Sequence, residues 1–473
     1  MNVSRETRTL LALGALAFVV RVAFIVVEPG GRLAGDEWTW FRLGVGHGGV
    51  ASEKMAFSPF RNRHILFYPP VYPYFLGTVH VLSGGALTPP AEEAPLPPPP
   101  AAVKYVQALL GAALVVAVGR LGAAAFGARI GAAAAAMTAL YPDLVWLAAH
   151  FWSETLFLAL LWWAMERVLA SDRNESPGRA VAAGLLWGVA VLTRETALYF
   201  LVVAALWMAW GRGAGGRRRA ALLVVVALLL VAPWTCRNWV MFHAFIPVSI
   251  QGGQNLFQGN TPIERDRTYE IVSKAKDQVQ GYRDALRLGT EAILQRQPWW
   301  IFEKLHDEMP NFWEADNLAL IHIKRGRDDP PGGYVPHVSV ASAWIAAAVT
   351  LAPYLVVLGA FVIGVRDLPI TRPVVLLMLF LLYTNAIHIV THGFARYRLP
   401  AMPVVFMVAA WGLLARPEDR PRTRARTILA AVLAVLFVLC VIPSLRKTAS
   451  HPAFGGSAEV EKPPAAEDGA PAP

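Results

Sequence analysis

The chain has 473 residues, of which 55% are hydrophobic and only 16% are charged. Soluble globular proteins carry about 25% charged residues, so this composition excludes an ordinary soluble domain. The formal net charge of +10 would suit a nucleic-acid partner, but the basic residues cluster in short loops between apolar runs. Cytoplasmic loops of membrane proteins are enriched in Lys and Arg, so membrane topology explains the charge better than nucleic-acid binding does.

The apolar runs predict a polytopic membrane protein with about ten to twelve spanning helices, since about 18–20 apolar residues cross the hydrocarbon core. The clearest runs are Leu10–Val27, Ala220–Trp234, Ala341–Val365, Pro373–Val390 and Thr427–Pro443. No small-residue cleavage site follows the first run, which favours a retained helix over a signal peptide. The run Val181–Trp210 is interrupted at Arg194–Glu195 and fits one long helix or two short ones.

The basic loops predict the orientation of the second half of the chain. Residues 211–219, 366–372 and 416–426 are rich in arginine and are expected on the cytoplasmic side. The largest polar segment, from Arg237 to about Val340, then lies on the opposite face, where its apolar spacing predicts two or three helices on the bilayer surface. An N-terminus on the cytoplasmic side with an odd number of spans before Arg237 places GDEWTW (Gly35–Trp40) on that same extracytoplasmic face.

These features divide the chain into four parts. Residues 1–235 are expected to form an N-terminal transmembrane module with a first extracytoplasmic loop at 28–66. Residues 236–340 form an extracytoplasmic loop region, and residues 341–443 form the C-terminal transmembrane helices. Residues 444–473 are polar and rich in Pro and Ala, which predicts a disordered tail. The two cysteines, Cys236 and Cys440, suggest no disulfide framework.

Two adjacent acids, Asp36 and Glu37, follow the first apolar run and precede Trp38, Trp40 and Phe41. A carboxylate near hydrocarbon is costly unless it is paired or wet, and in a wet cavity it can act as a general base. A solvated loop acid or a helix cap explains the pair as well. The aromatic residues fit an interfacial belt or a wall against which a sugar or lipid ligand stacks.

Several arginines stand where an anionic ligand could use them. Arg194 lies inside an apolar run, where a charge marks a functional site or an ion pair, here with the adjacent Glu195. Arg396 and Arg398 flank Tyr397 at a predicted outer helix mouth, against the bias of positive charge toward the cytoplasm. A phosphate group or lipid headgroups would satisfy this charge.

Two further segments carry both a structural and a binding interpretation. Arg63 and His64 precede a Pro-Pro pair at a helix start, which fits a phosphate contact or an interface anchor. Arg237 leads into QGGQNLFQGN (Gln251–Asn260), where glycines allow backbone amides to approach phosphate oxygens. A surface turn cluster would have the same composition.

Taken in order, these motifs resemble the GT-C membrane glycosyltransferases, and most closely family 39, which includes protein O-mannosyltransferases and aminoarabinose lipid A transferases. The likeness runs from about residue 10 to 415. The stretches that carry it are GDEWTW, YPPVYPYFLG (Tyr68–Gly77), SETLFLALL (Ser153–Leu161), GLLWGVAVLTRE (Gly184–Glu195), PWTCRN with PVSIQGGQNLFQGN, and ARYRLPAMP (Ala395–Pro403).

The resemblance implies an all-α GT-C fold and an inverting transfer of a hexose or pentose from a polyprenyl-phosphate donor, at the outer face of the cytoplasmic membrane. It implies Asp36 as the general base and Glu37 as its support or as an acceptor-positioning group. Donor-phosphate contacts would come from Arg396, Arg398, Arg194, Arg237 and Arg63. Residues lining the substrate would be Trp40, His64, Tyr68, Asn255 and Tyr397.

The expected partners are the polyprenyl-phosphate donor, the lipid bilayer and a glycan, lipid or protein acceptor of the cell envelope. No metal-ligand spacing is evident and no cofactor is expected, with a divalent ion held by the acids as the minor alternative. Phe67 and Tyr68 stand where aminoarabinose transferases often carry an acid and a lysine, and the large loop lacks sugar-binding repeats.

The competing function is a flippase or transporter of lipid-linked sugars, although transporters tend to show internal repeats.

Overall fold

The computed structural model describes residues 4–28, 36–45, 66–85, 100–261, 277–326, 335–336, 338–421 and 423–456. The side chains of Asp36, Trp38, Arg42 and Val45 lie outside this description, although their backbone is helical. The described chain is built from α-helices joined by turns and short 3-10 helices.

The α-helices follow one another through the described residues. They are α1 (Arg5–Val27), α2 (Asp36–Val45), α3 (Val71–Leu82), α4 (Ala101–Phe126), α5 (Ala128–Leu140), α6 (Pro142–Trp146), α7 (Glu154–Arg173), α8 (Pro177–Thr193), α9 (Thr196–Ala209), α10 (Gly213–Phe242), α11 (Gln251–Asn260), α12 (Gln278–Gln295), α13 (Trp300–Trp313), α14 (Leu318–Arg325), α15 (Val340–Arg366), α16 (Arg372–Val390), α17 (Met402–Leu414) and α18 (Arg424–Ser450).

Six of the described helices, α1, α4, α10, α15, α16 and α18, are long and apolar enough to cross a bilayer. A seventh candidate is a bent pair, α5 with Pro142–Ala149, whose two parts meet at 58°. Four shorter apolar helices, α3, α8, α9 and α17, account for further runs that the sequence assigned to spans. The predicted all-α polytopic membrane architecture is confirmed, and within the described ranges six helices, or seven with the bent pair, are long enough to span on their own.

The interrupted run of the sequence is two helices. α8 ends at Thr193, Arg194 adopts an extended conformation as its C-cap, and α9 begins at Thr196. Of the two alternatives that the sequence left open, the structure therefore has the short helices. The break leaves the side chains of Arg194 and Glu195 free to contact neighbouring segments, so it connects α8 and α9 with other parts of the first unit.

The contacts between Cα atoms divide the chain into two compact units that alternate along the sequence. The first unit contains Met1–Leu121 and Leu147–Glu291, and the second contains Gly122–Trp146 and Ala292–Ala472. In the first unit, α8 packs against α7 and α10. In the second unit, α15 packs against α17 and α18, and α13 packs against α16 and α18.

The C-terminal helix extends beyond the point where the sequence predicts a disordered tail. α18 continues as a helix from Arg424 to Ser450, and the chain then forms a 3-10 helix at Pro452–Phe454. Phe454 is buried and meets the ring of Trp344 edge-on at 5.2 Å. The polar residues that suggested disorder therefore begin inside a packed helix, while residues 457–473 lie outside the described part.

The close approach of α15 and α17 depends on small residues. A Cβ atom on Gly364 would lie 2.1 Å from the carbonyl oxygen of Val408, and one on Gly412 would lie 2.4 Å from that of Ala360. Small residues allow helix backbones to approach closely in membrane proteins. Gly359, also on α15, has no neighbour within 4 Å of the corresponding position.

We therefore expect Gly364→Ala to destabilise the protein by about 1–3 kcal/mol, because the added methyl group must push two helix backbones apart. Gly359→Ala on the same helix is the matched control. It should be neutral or slightly stabilising, since alanine favours a helix by about 0.5–1 kcal/mol over glycine. Thermal unfolding of the two purified variants in one detergent measures the difference, and equal melting temperatures would contradict this packing argument.

Candidate active site

Glu37 anchors the first turn of α2. Its side chain is buried, and its Oε1 atom accepts a hydrogen bond from the backbone N–H of Phe151 at 2.9 Å. The same oxygen lies 3.2 Å from Nδ1 of His150. These contacts attach α2 to the segment that precedes α7. Asp36 is the first residue of α2, one position before this anchor, and its side chain lies outside the described residues.

The aromatic residues beside the acid pair form a packed cluster. Trp40 lies 4.6 Å from Tyr68 and meets Tyr72 edge-on at 5.4 Å, measured between ring centroids. The Tyr72 hydroxyl donates to Gln107, whose amide donates to the carbonyl oxygen of His150 at 2.8 Å. Trp40 and Tyr68, both predicted to line the substrate, are therefore brought together, and Trp40 itself is largely buried.

Arg194 forms an ion pair across the helix break. Its Nη1 atom lies 2.8 Å from Oε1 of Glu154 at the start of α7, and it also donates to the Ser153 hydroxyl at 3.2 Å. The side chain of Glu154 is 4% exposed and that of Arg194 is 22% exposed. The sequence suggested Glu195 as the partner of this arginine, and the ion pair in the structure is with Glu154.

Glu195 points toward the start of α11. Its Oε2 accepts a hydrogen bond from the Ser249 hydroxyl at 2.7 Å, and backbone N–H groups of Ser249 and Gly252 also reach the carboxylate. A Cβ on Gly252 would lie 2.7 Å from Glu195 Oε1, and one on Gly253 would lie 2.6 Å from the Tyr282 ring. The Gly-rich segment is therefore a helix, and the surface turn considered from the sequence is wrong for it.

Two predicted contacts lie on or after α10. Arg237 is buried, with its guanidinium 4.6 Å from the ring centroid of Trp234 and 5.2 Å from that of Phe242. It donates to the side chain of the neighbouring Asn238 at 2.9 Å. Asn255 lies on α11 and is half-buried. The aromatic rings shield Arg237 on two sides, and its role as a phosphate contact stays a prediction, as does that of Asn255.

The two arginines of ARYR have different surroundings within the second unit. Arg398 is fully buried and donates to the carbonyl oxygens of Glu314 and Asp316, both at 2.7 Å, with its guanidinium 4.4 Å from the Tyr354 ring. We assign it to the architecture of the loop between α13 and α14. Arg396 is half-buried, and its guanidinium lies 5.5 Å from the ring of Tyr397.

Tyr397 belongs to a stack of rings. It lies nearly parallel to His388 at 4.8 Å, and His388 stacks in turn on Phe312 at 5.6 Å. Because Arg396 lies over Tyr397, this stack orients the more exposed arginine of the pair. Arg63 and His64, the remaining predicted contacts, lie outside the described residues.

Two residues of the candidate site that the sequence analysis missed, His150 and Glu154, are contact partners of residues that it assigned to the site. His150 and Glu154 face Glu37 and Arg194, and a signal was present in HFWSE (His150–Glu154), where polar residues interrupt an apolar run. Among the described side chains, no group of three His, Cys, Asp or Glu residues could hold a metal ion. Whether the acid pair binds a divalent ion stays a prediction, because Asp36 lies outside this set.

Residues 99–236 match the family model described as dolichyl-phosphate-mannose-protein mannosyltransferase. The matched segment contains Ser153–Leu161 and Gly184–Glu195, two of the stretches on which the resemblance rests. The predicted resemblance to GT-C membrane glycosyltransferases is thus confirmed. The acid pair and ARYR lie outside the matched residues. Comparison with curated proteins finds no match.

Among solved structures, the chain is similar to the oligosaccharyltransferase of Archaeoglobus fulgidus in its apo form, with 16% identity and a TM-score of 0.49. It is also similar to the archaeal oligosaccharyltransferase AglB from the same organism in complex with an inhibitory peptide and a dolichol-phosphate, with 13% identity and a TM-score of 0.49. Each alignment covers 95% of this chain, which spans 56% of the length of these proteins.

The Arg194–Glu154 pair predicts an asymmetric response to mutation. Arg194→Met should destabilise the protein more than Glu154→Gln, because it leaves the less exposed charge without its opposite charge. Breaking a buried pair costs about 3–5 kcal/mol, and removing both charges costs less than the sum. Unfolding of both single variants and the double variant in detergent measures this coupling, and strictly additive effects would rule out the pair.

Glu314 predicts a pH-dependent stability. Burial, and to a smaller extent the nearby Asp316, raise the pKa of this carboxyl to about 7. Because the folded-state pKa is raised, the stabilising contribution of the protonated form is complete at acidic pH and is lost as the pH rises through about 7. The melting temperature should therefore fall between pH 5.5 and pH 8 by less in Glu314→Gln than in the wild type. Glu418→Gln, at an exposed carboxylate, should retain the full wild-type fall.

Proposed function

We propose that this membrane protein is a glycosyltransferase that moves a hexose or pentose from a polyprenyl-phosphate donor to a hydroxyl, amine or phosphate acceptor. The reaction would take place on the outer face of the cytoplasmic membrane, with inversion at the anomeric carbon. The family match supports a lipid-phosphate donor, because its description names mannose carried by dolichyl phosphate. The acceptor would be a glycan, lipid or protein of the cell envelope.

The observation that carries the proposed site is the anchor at Glu37. Its carboxylate is held by the N–H of Phe151 and faces His150, so the first turn of α2 has a defined place in the first unit. Asp36 precedes it at the helix N-terminus. The positive end of a helix dipole stabilises an ionised carboxylate, which is the form that a general base requires.

In this mechanism, Asp36 takes the proton from the acceptor hydroxyl. The resulting oxygen attacks the anomeric carbon from the side opposite the phosphate. A new bond forms between that carbon and the acceptor oxygen, while the bond to the phosphate oxygen breaks and its electron pair leaves with polyprenyl phosphate. Attack from the opposite side inverts the anomeric configuration. Glu37 supports the base through the geometry of α2.

The leaving phosphate carries negative charge, and cations placed at that charge stabilise the transition state. Arg396 is our first choice, because its guanidinium is half-buried and is oriented by the ring of Tyr397. Arg194 is a weaker candidate, since Glu154 already opposes its charge at 2.8 Å. Arg237 and Arg63 are further candidates. The aromatic pair Trp40–Tyr68 would line the substrate.

Asp36→Asn should reduce sugar transfer by about 10²–10⁴-fold, because the amide cannot accept the acceptor's proton. Glu37→Gln should have a smaller effect, since its amide oxygen can still accept the Phe151 N–H. The assay incubates purified protein with radiolabelled polyprenyl-phosphate hexoses and pentoses and measures the glycoside formed.

Glu418→Gln makes the same acid-to-amide change at an exposed loop and is the matched control, with transfer expected at the wild-type rate. Equal transfer by Asp36→Asn and the wild type would remove Asp36 as the base. Movement of the labelled lipid across vesicles without any glycoside product would instead favour a flippase.

A further inference from the structure

α13 exposes apolar side chains and buries charged ones. Ile301, Phe302 and Leu305 are exposed, whereas Lys304 and Glu308 are almost fully buried. A helix beside water normally shows the reverse pattern, with its apolar stripe toward the core. Burying charged groups is costly unless they are paired and hydrogen-bonded. The two charges must therefore serve a contact inside the second unit.

That contact is with the backbone of the turn that follows α16. Lys304 and Glu308 form an ion pair in which Nζ and Oε1 lie 2.6 Å apart. The N–H of Gly393 donates to Oε2 of Glu308 at 2.6 Å, and Lys304 donates to the carbonyl oxygen of Thr391 at 3.3 Å. His392 also faces Glu308, with 3.6 Å between Nδ1 and Oε2. The pair thus holds three consecutive residues of one turn.

The turn lies directly against α13. A Cβ atom on Gly393 would lie 2.3 Å from the carbonyl oxygen of Glu308, so only glycine fits at this position without a shift of backbone. The carboxylate and the backbone of the same glutamate therefore both define where Gly393 lies. A hydrogen bond to a charged acceptor is stronger than a neutral one, which suits a contact that must hold a turn in place.

The same turn leads into the 3-10 helix Ala395–Arg398. Gly393 is held at its start by Glu308, and Arg398 is held at its end by the carbonyl oxygens of Glu314 and Asp316. Arg396 and Tyr397 lie between these two fixed points. These two fixed points set the backbone position of Arg396 and Tyr397, and the ring contacts of Tyr397 add to the orientation of the side chains.

We infer that Glu308, paired with Lys304, is a positioning residue that fixes Arg396 and Tyr397 for the phosphate of the lipid donor. This inference rests on the proposed function, in which Arg396 contacts that phosphate. Glu308 itself does not touch the substrate. Loss of its charge leaves Lys304 buried beside a neutral amide and weakens the hold on Gly393. The ligand affected is the phosphate-bearing lipid, whereas the proton transfer at Asp36 is not changed.

The test compares Glu308→Gln with Asp307→Asn, the same change at an exposed neighbour on the same helix. We expect Glu308→Gln to raise the dissociation constant for undecaprenyl phosphate, measured by direct binding in detergent, by about tenfold, as one charged hydrogen bond would. The KM for the sugar donor should rise by a similar factor, and kcat should fall as well, because Arg396 also faces the charge that develops on the leaving phosphate. Asp307→Asn should bind and transfer as the wild type does.

A second variant separates positioning from loss of folding. In the double variant Lys304→Met/Glu308→Gln no charge is left buried alone, and the amide oxygen can still accept the Gly393 N–H. We expect this variant to bind undecaprenyl phosphate more tightly than Glu308→Gln alone. A merely structural role would lower the melting temperature and leave the dissociation constant of the folded protein for undecaprenyl phosphate unchanged.

The outcomes distinguish this inference from the proposed function. If the wild type transfers sugar and Glu308→Gln binds undecaprenyl phosphate normally, the positioning role is wrong and the function stands. If the wild type binds the lipid but transfers no sugar, the transferase is wrong, and the binding data alone decide the role of Glu308. A wild type that does not bind undecaprenyl phosphate overturns both.

Discussion

An ionised side chain among apolar helices needs an opposite charge or a set of carbonyl dipoles facing it, and this requirement organises the fold. Arg194 meets it through Glu154 in the first unit. In the second unit, Arg398 meets it through backbone carbonyl oxygens, and Arg420 meets it through the buried Asp367 at 3.0 Å. Each solution joins elements that are distant in sequence. The few charged residues among the apolar helices therefore hold distant segments of the chain together through ion pairs and hydrogen bonds.

The same requirement gives the two arginines of ARYR different surroundings. Arg398 is fully buried and donates hydrogen bonds to carbonyl oxygens, which holds the loop between α13 and α14. Arg396, two residues earlier, is half-buried beside an aromatic ring. Two arginines that look equivalent in ARYR thus differ in burial and in their contacts. The proposed chemistry depends on Arg396 being held in place by Arg398 and by Glu308.

Much of the fold could be predicted from local features. Apolar runs of sufficient length indicated a polytopic membrane protein, and the charges at Arg194–Glu195 left open one long helix or two short ones, of which the structure has the two short helices. Composition does not show whether a run is bent, as at Tyr141, or ends early, and the described residues contain six or seven full-length candidate spans beside four shorter apolar helices. The Gly-rich segment Gln251–Asn260 was taken for a turn or a phosphate loop. In the structure its glycines make room for the side chains of Glu195 and Tyr282. These residues lie far away in the chain, so the local sequence could not show the contact.

The sequence by itself determined the class of protein, the acid pair after the first helix and the resemblance to GT-C glycosyltransferases, because these depend on composition and on the order of local motifs. Only the tertiary structure decided which charges meet. Arg194 pairs with Glu154 rather than with its neighbour, and Glu308 holds Gly393 from 85 residues away. The physical reason is that a pairing depends on distance and burial in space, and a linear pattern contains neither.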